Sequence, residues 1–323
     1  MKTKVKWGVI GSGGIALRRT MPEGIIPACN AELVAVYDIN RAINEEVAWR
    51  FRVKAAAGED QVLDSGIDAV YVATPADLHH GQVLRCAAAR KHVLCEKPLG
   101  MTVGEAGEML RACEAAGVQL GTAFMMRFHS RHQAARRMIE EGKLGKPVYG
   151  RAQLSCWYPP IEGAWRQQPA RGGGGSLIDM GGHCIDLLEM FFGPVVQVSC
   201  FINNSVHAYA PEDSAVAMLS FENGALGTVD TFFCIPDEAS ENVVELYGSR
   251  GSIIARGTIG QGAEGHMVAR LKQAEEAYDA QQGRQTGGFI SIDPAPINTY
   301  RAEIEEFSQA LLDGRPSSSA WLN

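Results

Sequence analysis

A glycine turn joins the first strand-like run of this chain to its first helix-like run, and no other stretch restricts the fold as tightly. Val5–Ile10 is apolar and β-branched, and Gly11-Ser12-Gly13-Gly14-Ile15-Ala16 follows with no spacer. Glycine at the first position permits a tight turn, and at the second it lets backbone reach a pyrophosphate. Ala16 still allows close helix–sheet packing. The helix that follows presents the positive end of its dipole to the phosphates. A glycine turn alone also occurs for purely structural reasons, so its weight comes from its surroundings.

Those surroundings alternate. Lys4–Ile10, Leu33–Tyr37, Ala69–Ala73, His92–Cys95 and Val118–Gly121 read as short apolar strands, with helices over Arg41–Phe51, Leu78–Arg90 and Val103–Ala116 between them. The pattern predicts an α/β domain over residues 1–125, a Rossmann-type, doubly wound parallel sheet. After a basic helix at His129–Glu141 and the break at Gly145-Lys146-Pro147, the strands lengthen to Val148–Trp157, Val195–Val206, Ala215–Glu222 and Ala225–Phe233. Phe221-Glu222-Asn223-Gly224 reads as a hairpin turn between the last two. Residues 126–323 are therefore expected to form an α+β domain with a large, mainly antiparallel sheet. A helix at Leu177–Phe192 interrupts its strands and another at Tyr300–Leu312 closes it. Gly257–Gly265 and Gln281–Gly288 read as loops.

Composition excludes several classes of function. At 323 residues, 46% hydrophobic and 21% charged, the chain has the make-up of an ordinary globular protein. A net charge of −7 gives no reason to expect a nucleic acid or an anionic membrane as partner. No purely apolar run exceeds five residues, far short of the roughly 20 that span a bilayer. Met1-Lys2-Thr3-Lys4 runs straight into the first strand, which leaves no room for a signal peptide. The eight cysteines include no CxxC pair, the pattern of buried thiols in a reducing compartment. The expected location is the cytoplasm.

Three groups of residues carry chemistry. Asp38 ends the second strand, 22 residues beyond Ala16, with Ile39 adjoining it. An acid there binds the adenosine ribose hydroxyls and repels a 2′-phosphate, which favours NAD over NADP. A helix-capping role fits the same acid, and nearby Arg41 would suit a 2′-phosphate, so NADP is not excluded. Glu96-Lys97-Pro98 follows the strand His92–Cys95, and the carboxyl ends of such strands open into the ligand crevice. An exposed surface charge is the alternative for Lys97. Finally, Gly172–Gly175 leads into Ser176-Leu177-Ile178-Asp179-Met180-Gly181-Gly182-His183-Cys184-Ile185-Asp186. On a helix, Asp179 and His183 share one face at i and i+4, and an imidazole beside a carboxylate serves as a general base. A structural Asp–His hydrogen bond is the alternative. Two glycines inside that helix cost roughly 1 kcal/mol each and suggest a close approach of backbone or ligand. With no third ligand nearby, no metal site is expected.

Together these residues resemble the Gfo/Idh/MocA family, named for glucose–fructose oxidoreductase, inositol dehydrogenase and rhizopine catabolism. Thr74-Pro75-Ala76-Asp77-Leu78-His79 is similar to the family's Thr-Pro-x-x-x-His segment, and Trp165-Arg166 before the glycine run also fits. The resemblance runs from about residue 5 to 313 and implies an NAD(P)-dependent oxidoreductase acting on sugars, cyclitols or their derivatives. It implies that Lys97 binds the reacting oxygen, that His183 transfers the proton, and that Asp179 orients His183. Thr74, Pro75, His79, Glu96 and Lys97 would line the cofactor, with Arg166 and Trp165 reaching it from the second domain. Arg127 and Tyr158 are weaker candidates for substrate contact. A homodimer or homotetramer formed through the second sheet is expected. Two other readings share these residues: an enzyme that retains NAD and cleaves or rearranges a glycoside without net redox change, and a non-catalytic NAD-binding sensor. In two respects the chain departs from the family pattern. Only Ser317–Asn323 remain where a further helix commonly returns toward the nucleotide domain, so the last strand is expected to be covered differently. Gly257–Arg284 matches no known family function.

Overall fold

A computed structural model of the chain describes residues 3–272 and 288–319. Val5–Ile10 forms β1, in which only Lys6 is exposed, because both faces of the strand are covered. A wide-turned helix, Ala16–Ile25, follows the glycine turn and contains Pro22. The chain continues through β2 (Ala31–Tyr37), α1 (Arg41–Phe51), β3 (Lys54–Ala55), α2 (Glu59–Leu63), β4 (Ala69–Val72), α3 (Ala76–Ala88), β5 (His92–Cys95), α4 (Val103–Ala116) and β6 (Leu120–Thr122). All six strands are parallel, in the order β3-β2-β1-β4-β5-β6 of a doubly wound dinucleotide-binding sheet. Local chemistry sets the helix limits: Asn40 caps α1 through the amides of Ala42 and Ile43, and Gly117 ends α4 in the left-handed region.

The first compact unit is discontinuous. Besides residues up to Met125 it contains Gly163–Gly173 and the chain from Asn298 onward, both expected in the second domain. The reason is packing. In α8 (Thr299–Asp313), Phe307 is fully buried against Trp7 of β1, whose indole N–H donates to Ser308. Burial of one such aromatic contributes roughly 1.5–3 kcal/mol. Beyond α8, the Ser319 carbonyl accepts the Thr122 amide on the edge strand β6. The edge strand β6 thus meets this segment at Ser319, and α8 itself packs on the parallel sheet of the first unit.

In the second unit α5 (Ser130–Glu140) leads to β7 (Pro147–Ser155). After α6 (Pro169–Gly172), which belongs to the first unit, a wide turn at Leu177–Gly181 runs into α7 (Gly182–Phe192). The remaining strands are β8 (Val195–Asn203), β9 (Ser214–Phe221), β10 (Leu226–Phe232), β11 (Val243–Gly248), β12 (Gly251–Arg256), β13 (His266–Leu271) and β14 (Ile290–Ser291). The sheet order is β14-β13-β12-β11-β7-β10-β9-β8, antiparallel except for the β7–β10 pair. The buried face of α7, with Leu187, Leu188, Phe191 and Phe192, packs on β7. The strands β11–β14 lie beyond the four predicted from sequence. Gly257–Gly265 connects β12 to β13 as expected, whereas Gln281–Gly288 lies, but for Gly288, outside the described residues. At the other edge Val196, Val198, Met218 and Leu226 are exposed, with Phe201 78% accessible.

A buried histidine ties α5 to the β12–β13 connection. His132 Nδ1 faces the Met126 carbonyl at 2.8 Å and Nε2 faces the Thr258 hydroxyl at 2.9 Å. A carbonyl only accepts, so Nδ1 carries the hydrogen and Nε2 accepts from Thr258 in a neutral ring. Burial pushes this imidazole from 6.5 down to about 3. Between those values the unfolded chain binds a proton that the folded chain does not, so stability falls as pH falls. A His132→Gln variant keeps a donor and an acceptor without titrating. Its unfolding free energy relative to wild type should change by up to about 1.4 kcal/mol per pH unit across that window in urea melts. A difference independent of pH would contradict the neutral buried ring.

Candidate active site

The nucleotide side is built from strand ends. Gly11 has φ +82°, and a Cβ there would stand 2.8 Å from the Ala73–Thr74 backbone, so only glycine lets β1 and β4 end this close together. Gly14 has φ +51° with open space around it, while Ala16 is fully buried and Ile15 half-buried. Gly13 differs from expectation: its amide donates to Asp38 Oδ2 at 2.9 Å instead of facing outward. Asp38 Oδ1 accepts the Asn40 amide at 2.9 Å, and Asn40, not Asp38, caps α1. The carboxylate is therefore pinned at the end of β2. Ile39 beside it is 92% exposed. Arg41 points to Glu45 at 2.7 Å and is almost wholly exposed. A glycine turn and an acid held at the end of the second strand are the features by which this fold takes a dinucleotide.

Thr74 and Pro75 follow β4, and Glu96 and Lys97 follow β5, on the same sheet edge as the glycine turn. Glu96 Oε1 accepts the Tyr71 hydroxyl at 2.5 Å, and that hydroxyl accepts from Thr20 at 3.0 Å. Burial pushes the Tyr71 phenol well above its usual range, so it remains a neutral donor that fixes Glu96 from beneath. Lys97, the next residue, is half-buried, and its peptide bond to Pro98 is cis. His79 lies deeper than a cofactor-lining residue would, at 1% exposure. Its ring nitrogens face the carbonyls of Pro98 and Thr74, each at 2.9 Å, so it joins the two loops that carry Thr74 and Lys97. Trp165 and Arg166 belong to the first unit, with the Arg166 guanidinium 4.4 Å from the Trp165 ring centroid. That grouping assigns them to the unit of the parallel sheet rather than to the second domain.

The second unit carries Asp179 and His183, the pair expected to do the acid–base work. Asp179 stands in the wide turn and is half-buried; His183 is in the first turn of α7 at 6% exposure. The predicted helix is therefore composite, wide-turned through Asp179 and α-helical through His183. Gly181 accommodates this, since a Cβ there would press on the Leu177 side chain at 2.7 Å. Three residues beyond His183, buried Asp186 accepts the Arg127 Nε–H with both oxygens, at 2.7 and 2.8 Å. Burial pushes the Asp186 carboxyl up to about 7 even though Arg127 opposes the shift. Arg127 is thus engaged in an ion pair on the His183 helix, and Asp186 is a buried acid beside His183 that spacing did not single out. Tyr158 packs its ring on Phe233, centroids 4.9 Å apart, and its carbonyl accepts the Tyr209 hydroxyl. Among the described residues, no group of three or more His, Cys, Asp or Glu could hold a metal ion.

Two family models match the chain. One, described as the oxidoreductase family with an NAD-binding Rossmann fold, covers residues 5–124, and the GFO/IDH/MocA C-terminal domain covers residues 132–254. The 1,5-anhydro-D-fructose reductase of Ensifer adhaerens is 30% identical over 319 residues, 97% of this chain and 90% of that protein. Myo-inositol 2-dehydrogenase of Thermotoga maritima is 29% identical over 256 residues, 77% of this chain and 74% of that one. A solved levoglucosan dehydrogenase, in complex with NADH and levoglucosan, superposes with a TM-score of 0.84 at 23% identity, covering 98% of this chain and 92% of that one.

Proposed function

The chain belongs to the Gfo/Idh/MocA family of NAD-binding oxidoreductases, and on that premise we propose that it transfers hydride between nicotinamide and a hydroxyl-bearing carbon of a sugar, a cyclitol or a derivative. The observation that carries this reading is Lys97 at the carboxyl end of β5, on the sheet edge that also holds the glycine turn and Asp38. The names of the Ensifer and Thermotoga relatives support a polyhydroxylated ring as substrate. Bound NAD supplies a nicotinamide C4 that accepts the hydride. Lys97 stabilises the developing alkoxide, His183 takes the hydroxyl proton, and Asp179 holds the imidazole in orientation. A panel of sugars and cyclitols, followed by NADH formation, tests the proposal; no turnover with any of them would refute it.

Asp38 supports NAD as the preferred cofactor. Its carboxylate is pinned by two backbone amides and cannot swing away from a 2′-phosphate without breaking them. Asp38→Ser should therefore lower the NAD-to-NADP ratio of kcat/KM by about tenfold or more. An unchanged ratio would make Asp38 purely structural.

The exposed apolar edge at β8–β10 supports assembly of copies through this sheet. Sedimentation should give a dimer or tetramer at micromolar concentration, and a monomer would contradict that. All eight cysteines are free thiols, which supports placement in the cytoplasm. No helix among the described residues is long and apolar enough to cross a membrane.

A further inference from the structure

The wide turn that carries Asp179 begins without a cap of its own. A helix start leaves its first amides without intrahelical acceptors, and a side chain at the N-cap position ordinarily takes one of them. Ser176 occupies that position, yet its side chain makes no cap; its hydroxyl donates to the Thr231 carbonyl on β10 at 3.1 Å. The acceptors come instead from Glu212, remote in sequence. Glu212 Oε2 accepts the Gly175 amide at 2.8 Å and Oε1 accepts the Leu177 amide at 2.9 Å. Between them, the Ser176 amide donates to the Glu212 backbone carbonyl at 3.0 Å. Three consecutive amides thus end on one residue.

Two further features belong to this clamp. A Cβ on Gly175 would lie 1.8 Å from the Glu212 carbonyl oxygen, so glycine here serves the approach of Glu212 rather than of a ligand. The loop that delivers Glu212 is itself fixed. Asn204 Nδ2 donates to the carbonyls of Tyr209 and Pro211, and the Asp213 carboxylate accepts the amides of Ser205, Val206 and His207 and the Ser214 hydroxyl. A carboxylate at a helix start is also favoured by the helix dipole.

We propose that Glu212 is a positioning residue, whose carboxylate and carbonyl hold the Gly175–Leu177 turn and thereby fix where Asp179 and His183 stand. The importance of those two residues rests on the function proposed above; the clamp itself does not. Glu212→Ala removes both side-chain acceptors. Glu212→Gln keeps the size and one acceptor but turns a donor toward a backbone N–H.

The test compares the full-length wild type with both variants by amide hydrogen exchange, NADH binding and kcat per NADH-binding site. In Glu212→Ala, exchange in residues 175–184 should quicken by about 10–100-fold while the nucleotide unit is unchanged, and Glu212→Gln should fall between it and wild type. The kcat of Glu212→Ala should drop by about the same factor while NADH affinity stays within about twofold, a split that a general loss of folded protein would not produce. Unchanged exchange at residues 175–184 would overturn the proposal. So would exchange raised equally across the second unit, or quickened exchange with kcat intact. If the wild type turns over no polyol, the hydride-transfer reading falls, and the exchange data still decide the clamp.

Discussion

Lys97→Ala is expected to lower kcat by about 10²–10³-fold while NAD still binds. Removing one preorganised donor to a developing oxyanion costs that much where the remaining geometry is kept. Lys97 follows β5, whereas the glycine turn follows β1, so the substitution leaves the turn expected to hold the pyrophosphate in place. The supporting structure should survive, because Glu96 is held by Tyr71 and the Pro98 carbonyl by His79, neither through the lysine side chain. Turnover and NADH titration, run on the same preparation, separate the two effects. Near wild-type turnover would end the assignment of Lys97 to the reacting oxygen.

His183→Asn should lower kcat by about 10²–10⁴-fold, the usual contribution of a positioned general base. The pH profile carries the finer information. With the imidazole gone, solvent must take the hydroxyl proton, so kcat of the variant should climb with pH throughout. Burial pushes Asp186, three residues along α7, up to about 7. A limb near 7 that persists in His183→Asn belongs to Asp186 and its Arg127 partner. Turnover unaffected by the substitution would remove His183 from the chemistry.

Much of the fold is legible because it is written in short-range pattern. His92–Cys95, Arg41–Phe51 and Val103–Ala116 fold over the limits their apolar spacing and caps predict. The hairpin β11–β12 carries a signal as well, alternating apolar residues on either side of Ser249-Arg250. The two-residue β3 and β14 carry none, since pairing partners rather than composition create such strands. The site divides in the same way. Gly11, Asp38 and Lys97 stand at strand ends that alternation locates. Contacts across long sequence separations are invisible to spacing: Arg127 with Asp186 across 59 residues, and Glu212 with Gly175 across 37. The glycine run shows the limit most clearly. Spacing gives that run no partner, and only the fold identifies what approaches Gly175 as the Glu212 carbonyl.

Net hydride transfer with an exchangeable cofactor can be read from a dialysis experiment. The protein is dialysed free of loosely held nucleotide, then given a sugar or cyclitol substrate with and without added NAD, while nicotinamide absorbance and products are followed together. Oxidised product should form only when NAD is added, mole for mole with NADH. Product formed without added NAD, and without NADH accumulating, would contradict the claim and assign the site to redox-neutral chemistry on a retained cofactor.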